Sequence, residues 1–260
     1  MLFRSNCHTG VDRIVQAVEE MRDLRQGPPR GHLRISSAVG FGRRVVAPLL
    51  GEFRATFPDV TIDLLLNDKP TDFTSDRVDI ASRDGRMEDA QIIAKQIIPM
   101  QLLLCASPAY QEAHGLPATV EALAHHECIN FRLSSGRIFE WEFKVGGQPR
   151  KLVPPAKLTY NDADLVLRAV LDGHGIAQLP GYLACESLRT GALVPCLAPY
   201  VPDDSGHYVC YLSRQHLPSR MRVFIDFMTL KIRAANLGCL TRISPKSSAE
   251  TAIDTAVTTA

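Results

Sequence analysis

Apolar residues recur at the three-and-four spacing of a helix in "VDRIVQAVEEMRDL", where Val11, Ile14, Val15, Val18, Met21 and Leu24 form one narrow seam among charged neighbours. Such a seam packs either on its own domain or on a partner helix. Gly27-Pro28-Pro29 ends it, and "HLRIS" then alternates as a strand. Helical spacing returns in "FGRRVVAPLLGEFRATFP" through Val45, Val46, Leu49, Leu50, Phe53 and Phe57, closed by Pro58. "VTIDLLL" and "VDIASR" read as strands, with "TDFTSDR" as a short polar, helical link. Strand, helix, strand, helix, strand is the order of a parallel sheet with crossover helices, so the pattern predicts an α/β fold.

A second set follows. "IIAKQIIPMQLLLCAS" is a long β segment bent at Pro99, leading into the helix "PAYQEAHG". "ECINFRL", "FEWEFKV" and "KLTY" predict strands, and "NDADLVLRAVLDGHG" a helix capped by Asn161 and ended by Gly173. "IAQLP" is a strand, "GYLACESLRTG" a helix, "ALVPCL" an edge strand and "HYVCYLS" a strand. The last helix, "LPSRMRVFIDFMTLKIRA", turns Met221, Phe224, Ile225, Met228 and Ile232 inward, and the Ser/Thr/Ala-rich residues 241–260 predict a disordered tail. Two βα sets joined by two long β segments imply two lobes with a cleft between them, where strand ends meet ligands.

Composition narrows the function. With 29 Lys and Arg against 28 Asp and Glu, the net charge of +1 offers no general attraction to nucleic acid or anionic membrane. Seven scattered cysteines, mostly inside apolar runs, suggest reduced thiols and a cytoplasmic location. "MLFRSNCHTG" lacks the pattern of an export signal.

Motifs for chemistry are few. The Gly-x-Gly of "DGHGIA" follows a helix and lacks a third glycine, so it predicts a helix end and no dinucleotide cofactor. "DDSGH" is a turn without a histidine base, and His125-His126-x-Cys128 has no second ligand cluster, so neither an enzyme nor a metal site is expected. "ISSAVGFGRR" has more content, because two hydroxyls and two glycines stand where a helix begins. They either cap the helix or dock an anion. Arg83 and the stretch "NFRLS" with Arg132 and Ser134 end strands facing the same cleft, where a guanidinium would hold a carboxylate by a forked pair.

The order of "GHLRISSAVGFGRRVVAPLLGEFRATFPDVTIDLLL", "DRVDIASR", "CASPAYQEAHG" and "LRAVLDGHGIAQLP" resembles the effector-binding domain of LysR-type transcriptional regulators from about Gly31 to Arg233. The resemblance implies two Rossmann-like lobes of the type II periplasmic-binding-protein fold. It places lobe 1 at 31–100 and 207–240, lobe 2 at 101–206, and the end of a linker helix in 1–30. A helix-turn-helix matching the family is not seen before Val11, so DNA contact is expected only through a domain outside this chain. The family implies a homo-oligomer, at least a dimer, and a small-molecule inducer, with no membrane partner. Carried over by position, the inducer pocket takes Ser36, Ser37, Ala38, Val39, Asn67 and Arg83 from the first lobe, and Arg132, Ser134, Asn161 and Gly175 from the second. Hydroxyls, amides and arginines suit a small organic anion. A solute receptor of a transport system shares the fold and is the alternative.

Overall fold

Leu33 and Ile35 alternate with Arg34 and Ser36 along the first strand, β1 (Gly31–Ser37), and this alternation decides which face of the sheet is covered by helices. The computed structural model describes residues 27–84, 92–202, 205–212, 217–235 and 237. The predicted helix at 11–24, the tail at 241–260 and the start of "DDSGH" lie outside them.

β1 pairs in parallel with β2 (Val60–Leu66) and β3 (Ile80–Asp84). Two long strands, β4 (Ile92–Pro99) and β12 (Gly206–Leu212), then add to the same sheet antiparallel, giving the order β2-β1-β3-β12-β4. The expected parallel sheet is therefore mixed, because the crossover segments are members of it. On the helix face lie α1 (Val39–Phe41), a π-helical turn (Gly42–Val46) and α2 (Ala47–Thr56). They are joined by the last helix, α6 (Ser219–Ala234), which buries all five residues of its apolar stripe. Phe53 sits wholly buried against Phe224 and Phe227, with ring centroids 5.2 and 5.3 Å away. Each such side chain removed from water contributes about 1.5–3 kcal/mol.

Pro99 and Met100 lead into β5 (Leu102–Ala106) and lobe 2. There α3 (Pro108–His114) begins on Ser107, whose Oγ accepts from the Tyr110 N–H, and ends at Gly115. β6 (Cys128–Phe131) pairs with β9 (Ala156–Tyr160), β7 (Trp141–Val145) with β8 (Gln148–Leu152), and β5 with β10 (Ala177–Pro180) and β11 (Val194–Cys196). α4 (Ala163–Leu171) and α5 (Gly181–Arg189) cover them.

Four expectations need correction. "TDFTSDR" is a turn, because Asp72 Oδ1 accepts from Thr74 and Ser75 N–H and closes the chain before a helix can propagate. The cap of α4 is Asp162, not Asn161: its carboxylate accepts from the N–H groups of Asp164 and Leu165. β8 was not foreseen, since its residues are mostly exposed and lack an apolar alternation. Cys185 is disulfide-bonded, so the thiols are not all reduced. Cys105, Cys128, Cys196 and Cys210 are buried thiols, and burial pushes Cys128 and Cys196 up to about 12 and Cys210 to about 11.

Candidate functional site

Between the lobes lies a cleft of about 600 Å³. Lobe 1 supplies the turn after β1 with Ala38 and Val39, the segment after β2 with Asp68 and Lys69, and the end of β3 with Arg83. Lobe 2 supplies Phe131, Leu133 and Phe139 as an apolar wall, Asn161 and Asp162 at the start of α4, and Tyr182 from α5. Phe73, Ile92 and Met100 complete the apolar lining.

Of the ten residues expected here, Ala38, Val39, Arg83 and Asn161 line the cleft. Ser36 stands one layer behind, where its Oγ accepts from Arg83 Nη2 at 3.1 Å and meets Thr71 Oγ1 at 3.1 Å. Ser37 points the other way along the strand and is fully buried, its hydroxyl donating to the Ala38 carbonyl. Asn67 is outside the lining; its carbonyl accepts from Arg83 Nη1 and its Oδ1 from the Lys69 N–H. Arg132 is exposed and donates to the Gly136 carbonyl at 2.9 Å. Ser134 bridges the lobes at the surface, donating to the Asp68 carbonyl at 3.1 Å. Gly175 is buried inside lobe 2, where a Cβ would stand 2.5 Å from the Glu127 carbonyl oxygen.

The glycines after the first turn serve packing. A Cβ on Gly42 would meet Leu66 Cδ2 at 2.3 Å, and one on Gly40 the Tyr182 hydroxyl at 2.7 Å. The helix start is itself occupied, because Asp68 Oδ1 accepts from the Val39 N–H at 2.9 Å. A carboxylate from the chain thus holds the place that an anion was expected to take.

The remaining acids of the cleft are also committed. Asp84 pairs with His207, which is buried and stacked on Phe41 with centroids 4.5 Å apart. Asp162 caps α4 and faces Arg43 at 3.4 Å. Arg43 and Arg44, from the π-helical turn of lobe 1, reach Asp164 of lobe 2 at 2.7 Å each. Burial alone would raise the Asp164 carboxyl; the hydrogen bonds from Arg44 and Arg43 outweigh it and hold the group below its ordinary value. Gln178 is spent on the β7 backbone, accepting from Glu142 N–H and donating to its carbonyl.

The cations differ. Arg83 bonds only to the neutral oxygens of Ser36 and Asn67, and neither it nor Lys69 forms an ion pair among the described residues. Burial pulls the Arg83 guanidinium below its ordinary range, and neighbouring carboxylates including Asp84 and Asp68 push back. Burial also raises the Tyr182 phenol, so the hydroxyl stays protonated beside the cleft. Among the described residues, no group of three or more His, Cys, Asp and Glu could hold a metal ion, and no helix is long and apolar enough to cross a membrane.

Strand alternation was the usable signal that sequence reasoning missed. Phe131 and Leu133 turn into the cleft, so Arg132 between them must turn out. Asp68 and Lys69 follow Asn67 directly in "NDKP", but a loop carries no period that would aim them.

Comparison with known proteins adds the family. The model of the LysR substrate binding domain matches residues 26–231. The HTH-type transcriptional regulator PgrR of Escherichia coli is 30% identical over 220 residues, covering 84% of this chain and 73% of the relative. PtxR of Pseudomonas aeruginosa, also an HTH-type transcriptional regulator, is 32% identical over 213 residues, covering 81% and 67%. Among solved structures, the full-length Vibrio cholerae virulence activator AphB superposes with a TM-score of 0.70 at 26% identity, over 85% of this chain and 75% of that one. The CrgA regulatory domain from Neisseria meningitidis does so with 0.66 at 28% identity, over 78% and 99%.

Proposed function

Because the chain belongs to the LysR-type transcriptional regulators through their substrate-binding domain, we propose that it is the ligand-sensing part of such a regulator and that its cleft takes a small organic anion with an apolar body. The observation that carries the charge is Arg83. Every carboxylate lining the cleft already has a donor within the chain, whereas this half-buried guanidinium is hydrogen-bonded only to neutral oxygens among the described residues. A guanidinium so placed gains a charge-assisted, forked partner when a carboxylate enters. Lys69 and the Asn161 amide stand at the same opening with no partner for their side-chain donors among the described residues, and Phe131, Leu133 and Phe139 offer an apolar wall to the rest of the ligand.

Closure of the lobes on the ligand is the signal in this reading, and the cross-lobe contacts of Asp164 and Ser134 are the parts it moves. The lobes are taken as 31–100 with 207–240, and 101–206. The same reading makes the protein a cytoplasmic homo-oligomer, at least a dimer, that meets DNA through a helix-turn-helix outside this chain.

Calorimetry with a panel of aromatic and aliphatic carboxylates is the direct test. Arg83→Gln should weaken the best binder by roughly one to two decades, the range expected for a lost hydrogen bond to a charged group. Arg132→Gln should leave it unchanged. A ligand whose affinity ignores Arg83, or a preference for neutral or cationic compounds, would remove the anion from the proposal.

A further inference from the structure

Strand alternation sends Arg34 and Ser36 to the face of the lobe 1 sheet opposite its helices, under the turn at 72–77. A polar cavity of about 430 Å³ lies there, lined by Arg34, Ser36, Asn67, Ser75, Asp76 and Arg77, and none of these residues lines the cleft. Its charged members are Arg34, Asp76 and Arg77, the last already engaged. The acid is engaged as well, since Asp76 Oδ2 accepts from the Asp72 N–H at 3.1 Å.

Arg34 is the unusual member. Its guanidinium makes no hydrogen bond or ion pair among the described residues, although its Nε is sealed from solvent. An Nε–H withdrawn from water without an acceptor is costly, and native structures as a rule supply the acceptor. Asn67, whose Oδ1 is spent on the Lys69 N–H, presents its amide N–H groups as further donors, and Ser36 adds a hydroxyl.

We propose that this cavity is a second anion site, taking the oxyanion group of a small metabolite, phosphate or carboxylate, between the Arg34 guanidinium, the Asn67 amide and the Ser36 hydroxyl. The site stands independently of the reading of the cleft, but it is wired to it. Ser36 Oγ and the Asn67 carbonyl are the two acceptors that hold Arg83, so the residues that bind the second anion also fix the aim of the cleft guanidinium.

The test is a titration of the chain with inorganic phosphate and, separately, with acetate, at constant ionic strength made up with chloride. Thermal midpoint and, for phosphate, the ³¹P linewidth are read. At least one of the two oxyanions should give a saturable stabilisation that Arg34→Gln weakens tenfold or more. Phosphate alone acting names a phosphorylated ligand; acetate alone names a carboxylate. Should Arg34→Gln fail to fold, Asn67→Asp, which places a negative charge in the cavity, should produce the same loss. Binding that survives Arg83→Gln separates this site from the cleft. Absence of saturable binding by both anions, or binding indifferent to Arg34→Gln or to Asn67→Asp, overturns the proposal.

Discussion

Lobe 1 lays five strands in one sheet, whereas lobe 2 divides its strands among one sheet of three and two of two. Each lobe keeps two core clusters, in lobe 1 a large one rich in phenylalanine and methionine under the helices and a small one with Cys210 on the other face of the sheet, in lobe 2 two on either side of β5. The contribution to the cleft divides differently. Lobe 1 brings most of the charged groups, Asp68, Lys69, Arg83 and Asp84, against Asp162 of lobe 2. The apolar wall is shared, with Phe73, Ile92 and Met100 from lobe 1 and Phe131, Leu133 and Phe139 from lobe 2. A continuous sheet suits the first task, because a charge aimed at a ligand must be held by an element that does not yield. An apolar wall tolerates adjustment, so its lobe 2 part can rest on a patchwork of smaller pairings.

The comparison is broken or sharpened most strongly by removing one ring from each lobe. Phe53→Ala in lobe 1 should cost about 3–5 kcal/mol in urea unfolding. Phe143→Ala, on the β7–β8 hairpin and also buried, should cost less, because that hairpin pairs with no other strand. Equal losses would mean that lobe 2 is as cooperative a frame as lobe 1.

Glycine substitutions give the next effect, and here the order reverses. Gly175→Ala meets a backbone oxygen of lobe 2 and should cost about 1–3 kcal/mol, as overpacking does. Gly42→Ala meets the end of the Leu66 side chain first, which can turn away, so its loss should be smaller. Differential scanning calorimetry of both variants decides; a larger loss at Gly42 would show that Ser37, 3.0 Å away, does not give.

The smallest effect lies where the lobes meet. Because the folded-state value of Asp164 is lowered, its contribution is present above the ordinary carboxyl range near pH 4 and is lost as pH falls through the lowered value. Asp164→Asn should flatten that acid limb of the stability profile. It should also slightly lower the melting midpoint at neutral pH, more at low salt than at high salt. A midpoint that ignores both salt and the substitution would make the cross-lobe pair ornamental.

Periodic segments were legible before the structure. The stripe of α6 and the alternation of β1 follow from spacing alone, and Met221, Phe224, Ile225, Met228 and Ile232 are buried as spaced. β8 escaped because "GQPRKL" has no apolar period, yet Gly146-Gly147 before it was a hairpin signal. The cap at Asp162 was missed by one residue, since Asn161 and Asp162 are both good caps and only the backbone path selects between them. The cleft was half legible. Arg83 ends a strand and Asn161 precedes a helix, positions that the fold aims at a cleft. Tyr182, Gln178 and His207 arrive from distant segments by tertiary packing, which leaves no trace in local spacing.

The π-helical turn at Gly42–Val46 bears on how the gene can change length here. Such a turn carries one residue more than the α-helix it interrupts, and it keeps Arg43 and Arg44 side by side toward Asp164. Loss of a single codon within it would leave an unbroken α-helix, so the frame of the domain would survive the deletion. The residues on either side would keep their faces, since the turn absorbs the extra residue, whereas the spacing of Arg43 and Arg44 toward their carboxylate would change.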